Sequence, residues 1–160
     1  MTTPAPTPQP GPDVPAEAPH YNTMTVELQR VDEAFHFAAK GVSGVTLDID
    51  GSVEIGGHNA GARPMELLLM GLASCSAIDV IVILNKQKQV IDDFSIRVQG
   101  QREAGATPAP FKSIHIEYHL RGTLDETKVR RAIDLSMDKY CSATAQLRPT
   151  ADITWSLVLE

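Results

Sequence analysis

Two cysteines, Cys75 and Cys141, are the residues of this 160-residue chain best suited to chemistry. Glycine, alanine and serine dominate positions 71–77 and leave room beside the Cys75 sulfur. Cys141 follows Lys139 and Tyr140 at the end of a predicted helix, where the chain turns back towards the core. Either cysteine alone could simply pack as a small hydrophobe. If the two sulfurs meet, the pair can cycle between dithiol and disulfide in a reducing cytosol.

Three charged residues flank Cys75 in the sequence. Glu66 lies nine positions earlier, about 900° of helical rotation, so it can reach the site only if the first turn departs from helical geometry. Asp79 lies four positions later, on the same helical face. A carboxylate there opposes thiolate formation unless a cation balances it, and the alternative is a structural capping or pairing role. Arg63 is either that cation or a solvated loop residue.

The histidines do not form a recognisable metal motif. On a strand, His115 and His119 would lie about 13 Å apart, too far to share one metal ion, which favours a solvated strand face. His58 lies in the glycine-rich segment 56–59 and can approach the site because this segment leads into Pro64.

The segment 64–84 predicts a helix that is apolar on almost every side. Its charge-free stretch, 67–78, is shorter than the roughly 20 residues of a membrane span, so we expect a buried helix and no membrane partner. Residues 125–140 predict a second, amphipathic helix. Its inner stripe consists of Val129, Ala132, Ile133, Ser136 and Met137.

The rest of the body predicts strands, at 24–30, 33–39, 45–50, 93–103, 112–121 and 151–159. Alternation of apolar and polar residues favours antiparallel, half-exposed strands. One small sheet cannot cover an all-apolar helix, and only one other convincing helix is available to do so. We therefore predict an α+β fold that forms an obligate homodimer, with two central helices wrapped by mainly antiparallel sheets.

Composition separates a tail from this body. Seven of the 11 prolines lie in the first 19 residues, which contain no Lys or Arg. We predict a disordered Pro-rich tail over 1–22, or alternatively an interaction motif, followed by one domain over 23–160. The tail resembles neither a secretory signal nor a transit peptide. A net charge of −6 argues against nucleic acid as a partner.

The segment PMELLLMGLASCSAIDVIVIL, at 64–84, and the later KYCSATAQL, at 139–147, carry a family resemblance. The chain resembles the osmotically inducible protein C / organic hydroperoxide resistance (OsmC/Ohr) family, and most of all its YhfA-like branch. The resemblance extends from about Thr23 to Glu160. It implies an intertwined α+β homodimer with two active sites at the subunit interface.

The resemblance also implies a reaction. Cys75 matches the peroxidatic cysteine, whose thiolate attacks the outer peroxide oxygen, releases an alcohol and becomes a sulfenic acid. Cys141 matches the resolving cysteine, which condenses with that sulfenic acid to form a disulfide. A dithiol reductant then restores both thiols, and no metal or other cofactor is required.

Two positions depart from the family pattern. The family's organic peroxidases have Glu ten positions before the peroxidatic cysteine, where this chain has Met65 and offers Glu66 instead. Their partner arginine lies in the first hairpin, where this chain has only the flanking Arg30 and Lys40. The cation for Cys75 is therefore expected to be Arg63, Arg30, Lys40 or another basic residue.

These observations predict a cytoplasmic thiol-dependent peroxidase that serves in the oxidative stress response. We expect organic hydroperoxides as substrates, because an apolar set of side chains precedes Cys75 and suits an alkyl tail. This set consists of Met65, Leu68, Met70 and Leu72. The alternative is a non-enzymatic dimer that binds a small hydrophobic ligand, with the cysteines as packing or redox-sensing groups.

Overall fold

The computed structural model describes residues 20–160, so the predicted tail lies outside the described residues except for 20–22, which are exposed and irregular. The predicted α+β class is confirmed. The strands are β1 (Glu27–Arg30), β2 (Phe37–Lys40), β3 (Thr46–Ile49), β4 (Val90–Arg102), β5 (Phe111–Thr123) and β6 (Asp152–Leu159). The α-helices are α1 (Pro64–Lys86), α2 (Glu126–Leu135) and α3 (Ser142–Leu147). A short 3-10 turn covers Val53–Ile55 and a π turn covers Ser136–Tyr140.

The strands form two three-stranded sheets. The first sheet has the order β1-β2-β3 and is antiparallel throughout. The second sheet has the order β4-β5-β6, in which β4 and β5 form a long antiparallel hairpin. The prediction of antiparallel strands is wrong for β6, which runs parallel to β5. The helical segments between β5 and β6 form the crossover that a parallel pair requires, and alternation of side chains does not report strand direction.

The first hairpin is shorter than predicted. The strand expected at 33–39 begins only at Phe37, because the Asp32 carboxylate organises the preceding turn. Its Oδ1 accepts a hydrogen bond from the Ala34 N–H at 2.8 Å, and Arg30 Nε donates to the Ala34 carbonyl at 2.9 Å. Aspartate commonly caps its own downstream backbone in this way, which diverts the chain from a strand ladder.

The core lies between the second sheet and the helices. The predicted alternation along β5 is confirmed: the side chains expected on its inner face are buried, namely Ile114, Ile116, Tyr118 and Leu120. The predicted inner stripe of α2 is confirmed too, and all of its residues are buried. From α1, every fourth residue contributes to this core: Leu72, Ser76, Val80 and Leu84. This spacing is that of one helical face.

Helix α1 is covered on one side only within a single chain. By length and composition alone, α1 could cross a membrane. Within a single chain, only 22% of its most apolar 18-residue window is buried. Exposed apolar residues line its open side: Leu68, Met70, Ile78 and Val82. The first sheet likewise exposes apolar side chains, including Leu28 and Leu47.

The second predicted helix, 125–140, is divided. Its α-helical part ends at Leu135, and a π turn follows in which the Cys141 N–H donates to the Ser136 carbonyl at 2.8 Å. A third helix, α3, begins at Ser142 and was not predicted. Six residues are too few to show a clear helical period, and its beginning depends on a cysteine cap that pattern analysis does not recognise.

Candidate active site

Helix α1 and the segment before α3 bring both cysteines together. Cys75 and Asp79 lie one turn apart on α1, and Cys141 ends the π turn. The two Sγ atoms and an Asp79 carboxylate oxygen all lie within 4.8 Å of one another. Cys75 and Asp79 are half-buried, whereas Cys141 is buried. We refer to these three residues as the thiol–carboxylate cluster.

Cys141 also begins α3. Its Sγ accepts a hydrogen bond from the Thr144 N–H at 3.4 Å, the position of a helix N-cap. Burial raises the pKa of the Cys141 thiol and the adjacent Cys75 raises it further, while hydrogen bonds from Thr144 oppose the rise. Cys141 is therefore a protonated thiol at neutral pH, because the ordinary cysteine pKa of about 8.5 already exceeds 7.

A buried chain of hydroxyl groups supports the carboxylate. Ser136 Oγ donates to Asp79 Oδ2 at 3.1 Å and lies 3.0 Å from Ser76 Oγ, which contacts the Tyr118 hydroxyl. Each hydroxyl has one proton to donate. Because Ser136 gives its proton to Asp79, Ser76 donates to Ser136, and Tyr118 in turn donates to Ser76. The bonds therefore run in one direction, from the core to the carboxylate.

Tyr118 is the inner end of this chain. Its side chain is fully buried and meets the Trp155 ring edge-on at a centroid distance of 6.3 Å. Burial raises the pKa of Tyr118 to about 12, against the lowering effect of its bond with Ser76, and nearby Cys141 and Asp79 contribute to the rise. The phenol thus remains a neutral donor at physiological pH.

Glu66 occupies the first turn of α1, away from Cys75. Its Oε2 accepts a hydrogen bond from the Arg63 N–H at 2.9 Å, which caps the helix. The helix is continuous from Pro64, so the first turn does not depart from helical geometry. Nine residues then separate Glu66 from Cys75 by about 13 Å along the axis. A catalytic role for Glu66 stays a prediction.

The candidate cations lie outside the thiol–carboxylate cluster in a single chain. The Arg63 guanidinium donates to Asn59 Oδ1 at 2.6 Å and lies 4.0 Å from Glu66. Arg30 donates to the backbone of its own hairpin turn, and Lys40 is exposed at the end of β2. None of these contacts, within residues 20–160, involves the thiol–carboxylate cluster.

The histidines lie outside this cluster. The His115 ring contacts Thr154 Oγ1 at 2.8 Å and Ser156 Oγ at 2.9 Å on the polar face of the second sheet. His119 pairs with Glu117 on its own strand at 2.7 Å. The His58 ring lies 3.2 Å from Asp32 beside the first hairpin.

Two cavities open beside the cluster. One, of about 390 Å³, is lined by Asp79, Val82, Ile83, Lys86, Gln87, Leu135 and Tyr140. The other, of about 380 Å³, is lined by Met137, Asp138, Lys139, Cys141, Ala145, Arg148 and Pro149. The residues expected to receive an alkyl tail line neither cavity. Leu72 is fully buried, Met65 lines a separate cavity with Glu66, and Leu68 and Met70 are exposed.

The residues around the cluster were only partly visible in the sequence. Ser136 and Tyr118 were assigned to inner faces, but their hydrogen bonds to Asp79 and Ser76 were not predicted. One signal for these bonds was available. Ser136 lies on an otherwise apolar helical stripe, and a buried hydroxyl requires a hydrogen-bond partner. The Thr144 cap on Cys141 had no such signal.

The fold and this cysteine arrangement define the class of protein. The sequence pattern of OsmC-like proteins matches residues 57–156, a span that includes both cysteines and the helices that carry them. The chain therefore belongs to the OsmC/Ohr family, as its resemblance predicted.

Particular relatives support this assignment. Protein YhfA of Escherichia coli K12 is 36% identical over 125 residues, which cover 78% of this chain and 90% of YhfA. A hypothetical protein from Aquifex aeolicus has a crystal structure with a TM-score of 0.73 at 33% identity, covering 88% of this chain and 99% of that one. An organic hydroperoxide resistance protein OsmC from Legionella pneumophila has the same fold, with a TM-score of 0.65 at 19% identity, covering 87% and 98%.

Proposed function

We propose that this protein is a cysteine-based peroxidase that reduces organic hydroperoxides to alcohols in the cytoplasm. The observation that carries the proposal is the approach of the two sulfurs, within 4.8 Å, from separate helical segments. A disulfide requires an S–S distance of about 2.0 Å, so local movement of side chain and backbone must close the pair. The chain belongs to the OsmC/Ohr family, and its structural neighbours include organic hydroperoxide resistance proteins. Both findings support the same proposal.

The different burial of the two cysteines supports their separate roles. Cys75 is the more accessible, and its thiolate attacks the outer oxygen of ROOH, giving Cys75 sulfenic acid and an alkoxide that takes up a proton to leave as ROH. Cys141 is a buried thiol in reach of that sulfenic acid. Their condensation forms the Cys75–Cys141 disulfide and releases water. A dithiol reductant then reduces the disulfide and is itself oxidised.

The proposal includes a homodimer. The open side of α1 and the first sheet expose apolar residues that water does not favour, and a second copy supplies matching surfaces. The cation that stabilises the Cys75 thiolate then comes from Arg63, Arg30, Lys40 or another basic residue across this interface. Glu66 orients that cation or the peroxide, since it already lies beside Arg63.

Organic substrates suit the cavity beside Asp79. Its lining includes Val82, Ile83 and Leu135, which can contact an alkyl chain while the peroxide group faces the sulfurs. We therefore assign the binding of the alkyl tail to this cavity and not to the set that the sequence indicated, which consists of Met65, Leu68, Met70 and Leu72. A role in the oxidative stress response follows from the same chemistry.

Intact mass spectrometry tests the mechanism. The reduced protein is mixed with one equivalent of cumene hydroperoxide, and free thiols and protein mass are measured. Wild type should lose both thiols. Cys141→Ser should gain one oxygen at Cys75, and Cys75→Ser should consume no peroxide, because a hydroxyl is a far poorer nucleophile than a thiolate. Slow thiol loss in all three proteins would instead favour a non-enzymatic binding protein.

The same assay tests the charged residues and the substrate class. Glu66→Gln should slow peroxide consumption if Glu66 acts at the site, with Glu103→Gln as a control in an exposed loop. Hydrogen peroxide should react more slowly than cumene hydroperoxide. Sedimentation at micromolar concentration tests the dimer, and a stable folded monomer would contradict that part of the proposal.

A further inference from the structure

Asp79 is the one member of the thiol–carboxylate cluster that the proposed peroxide chemistry does not use. Its carboxylate lies within 4.8 Å of both sulfurs. Among residues 20–160, Asp79 takes part in none of the ion pairs, which join other acidic groups to histidines and arginines. A carboxylate next to a thiolate is unfavourable without a balancing cation. The arrangement therefore requires an explanation of its own.

The donor set is that of a thiophilic metal ion. Two cysteine sulfurs and one carboxylate oxygen match the ligands that Zn²⁺ accepts, and three protein ligands leave a fourth position open for water. Neighbouring ligand atoms of a tetrahedral zinc site lie about 3.6–3.8 Å apart, given the usual Zn–S and Zn–O distances. Each pair of these atoms needs to draw together by at most about 1.2 Å to reach this geometry.

The surrounding structure already orients these ligands. Cys75 and Asp79 lie one turn apart on α1, so one rigid helix supplies two ligands on the same side. Ser136 Oγ donates to Asp79 Oδ2 at 3.1 Å and fixes the carboxylate from behind. Hydrogen bonds of this kind to a ligating carboxylate are typical of metal sites. We propose that Cys75, Cys141 and Asp79 form a site for a divalent thiophilic cation of the zinc class.

Metal binding and thiol oxidation oppose each other at this site. When the ion binds, each cysteine thiol releases its proton to the solvent and its sulfur coordinates the metal. Coordination uses one lone pair of each sulfur and draws electron density from it, so the bound ion lowers the nucleophilicity of the thiolates and slows their oxidation. A Cys75–Cys141 disulfide has lost both thiolate ligands, so oxidised protein releases the ion. Metal binding itself does not depend on the peroxidase proposal.

Titration of the reduced protein with Co²⁺ under anaerobic conditions tests the site. Cobalt reports thiolate ligation through a ligand-to-metal charge-transfer band, and added Zn²⁺ should displace it. Wild type should bind one Co²⁺ per protomer with this band. Asp79→Asn should bind Co²⁺ at least roughly tenfold more weakly. Loss of a metal ligand lowers the affinity at least as much as loss of the hydrogen bond that supports the ligand.

Asp138→Asn is the matched control, since Asp138 lies three residues from Cys141, is exposed and pairs with Arg148 instead. It should bind Co²⁺ as wild type does. Should Asp79→Asn fail to fold, Cys75→Ser provides the same comparison and should bind at least roughly tenfold more weakly. Absence of the charge-transfer band in wild type, or equal affinities for Asp79→Asn and Asp138→Asn, would overturn the proposal.

A second measurement separates this inference from the proposed peroxidase. Zn²⁺-loaded protein should consume cumene hydroperoxide more slowly than metal-free protein, and a chelator should restore the rate. Disulfide-oxidised protein should show no Co²⁺ charge-transfer band. If wild type binds Co²⁺ but consumes no peroxide, the metal site stands and the peroxidase proposal fails. If wild type consumes peroxide without binding Co²⁺, the peroxidase proposal stands and the metal site fails.

Discussion

Replacing Ser136 with alanine should destabilise the protein more than removing the Tyr118 hydroxyl, although both groups belong to one chain of hydrogen bonds. Ser136 lies in the middle of this chain, between Ser76 and Asp79, and is fully buried. In Ser136→Ala, Asp79 loses its donor. Ser76 loses its Ser136 acceptor and keeps only its bond with the Tyr118 hydroxyl and a weak contact with the Met137 sulfur at 3.9 Å.

The magnitudes follow from the number of hydrogen bonds lost. Ser136→Ala removes two, one to Asp79 and one from Ser76. At about 1–3 kcal/mol for a buried group left without its partner, and less where solvent or a remaining bond compensates, we expect a loss of about 2–3 kcal/mol. Tyr118→Phe removes the terminal donor and leaves Ser76 still donating to Ser136, so we expect about 1 kcal/mol. For a chain of this size, each kcal/mol corresponds to about 2–4 °C in melting temperature.

Urea unfolding at pH 7 and a fixed protomer concentration measures both changes, with equal m-values as the sign of a shared two-state transition. Ser142→Ala is the control, because Ser142 is exposed six residues away and should shift stability by less than about 0.5 kcal/mol. If Ser136→Ala unfolds at the same midpoint as Ser142→Ala, or if Tyr118→Phe is the more destabilised variant, the assigned direction of the hydrogen bonds is wrong.

Two further predictions concern the loop between β3 and α1. Asp50 is buried, and N–H groups of Ala60, His58 and Gly51 lower its pKa while burial opposes them. A lowered pKa in the folded state stabilises the protein above the ordinary value of about 3.9, and this contribution is lost as the pH falls through the lowered pKa. The melting temperature of Asp50→Asn should therefore lie below that of wild type at pH 7, and the difference should narrow below about pH 4. A difference that stays constant with pH would contradict this. Gly57→Ala should lose about 1–3 kcal/mol, because its Cβ would collide with the Gly51 carbonyl. Gly41→Ala meets only Val26 at 3.9 Å and should melt like wild type.

The fold was predictable where one pattern persists over many residues. The apolar run at 64–84, the alternation along β5 and the inner stripe of α2 each extend over at least two helical turns or several strand pairs, so tertiary contacts do not override them. Strand direction and the end of the second helix were not predictable. Both depend on the π turn and α3, whose geometry comes from the Cys141 cap and the Ser136 carbonyl.

The site was predictable in part for the same reason. Cys75 and Asp79 share a face because they lie on one regular helix, and this spacing was readable from the sequence. The approach of Cys141 depends on how the chain folds back after the π turn, so only the family resemblance indicated it. Arg63 and Glu66 form a helix cap in a single chain, and a role for either of them at Cys75 stays a prediction.

The position of the cluster on α1 connects the proposed homodimer with the proposed chemistry. The buried stripe of α1 includes Ser76 and Val80, which directly follow Cys75 and Asp79 in the sequence. Cys75 and Asp79 form a half-buried rim, between the core and the exposed side that carries Ile78. A one-residue step rotates a side chain by about 100°, enough to move it from the core to the rim. In the proposed homodimer, a second subunit that covers the open side of α1 would also cover the rim, and a basic residue of that subunit would then be the proposed cation for Cys75.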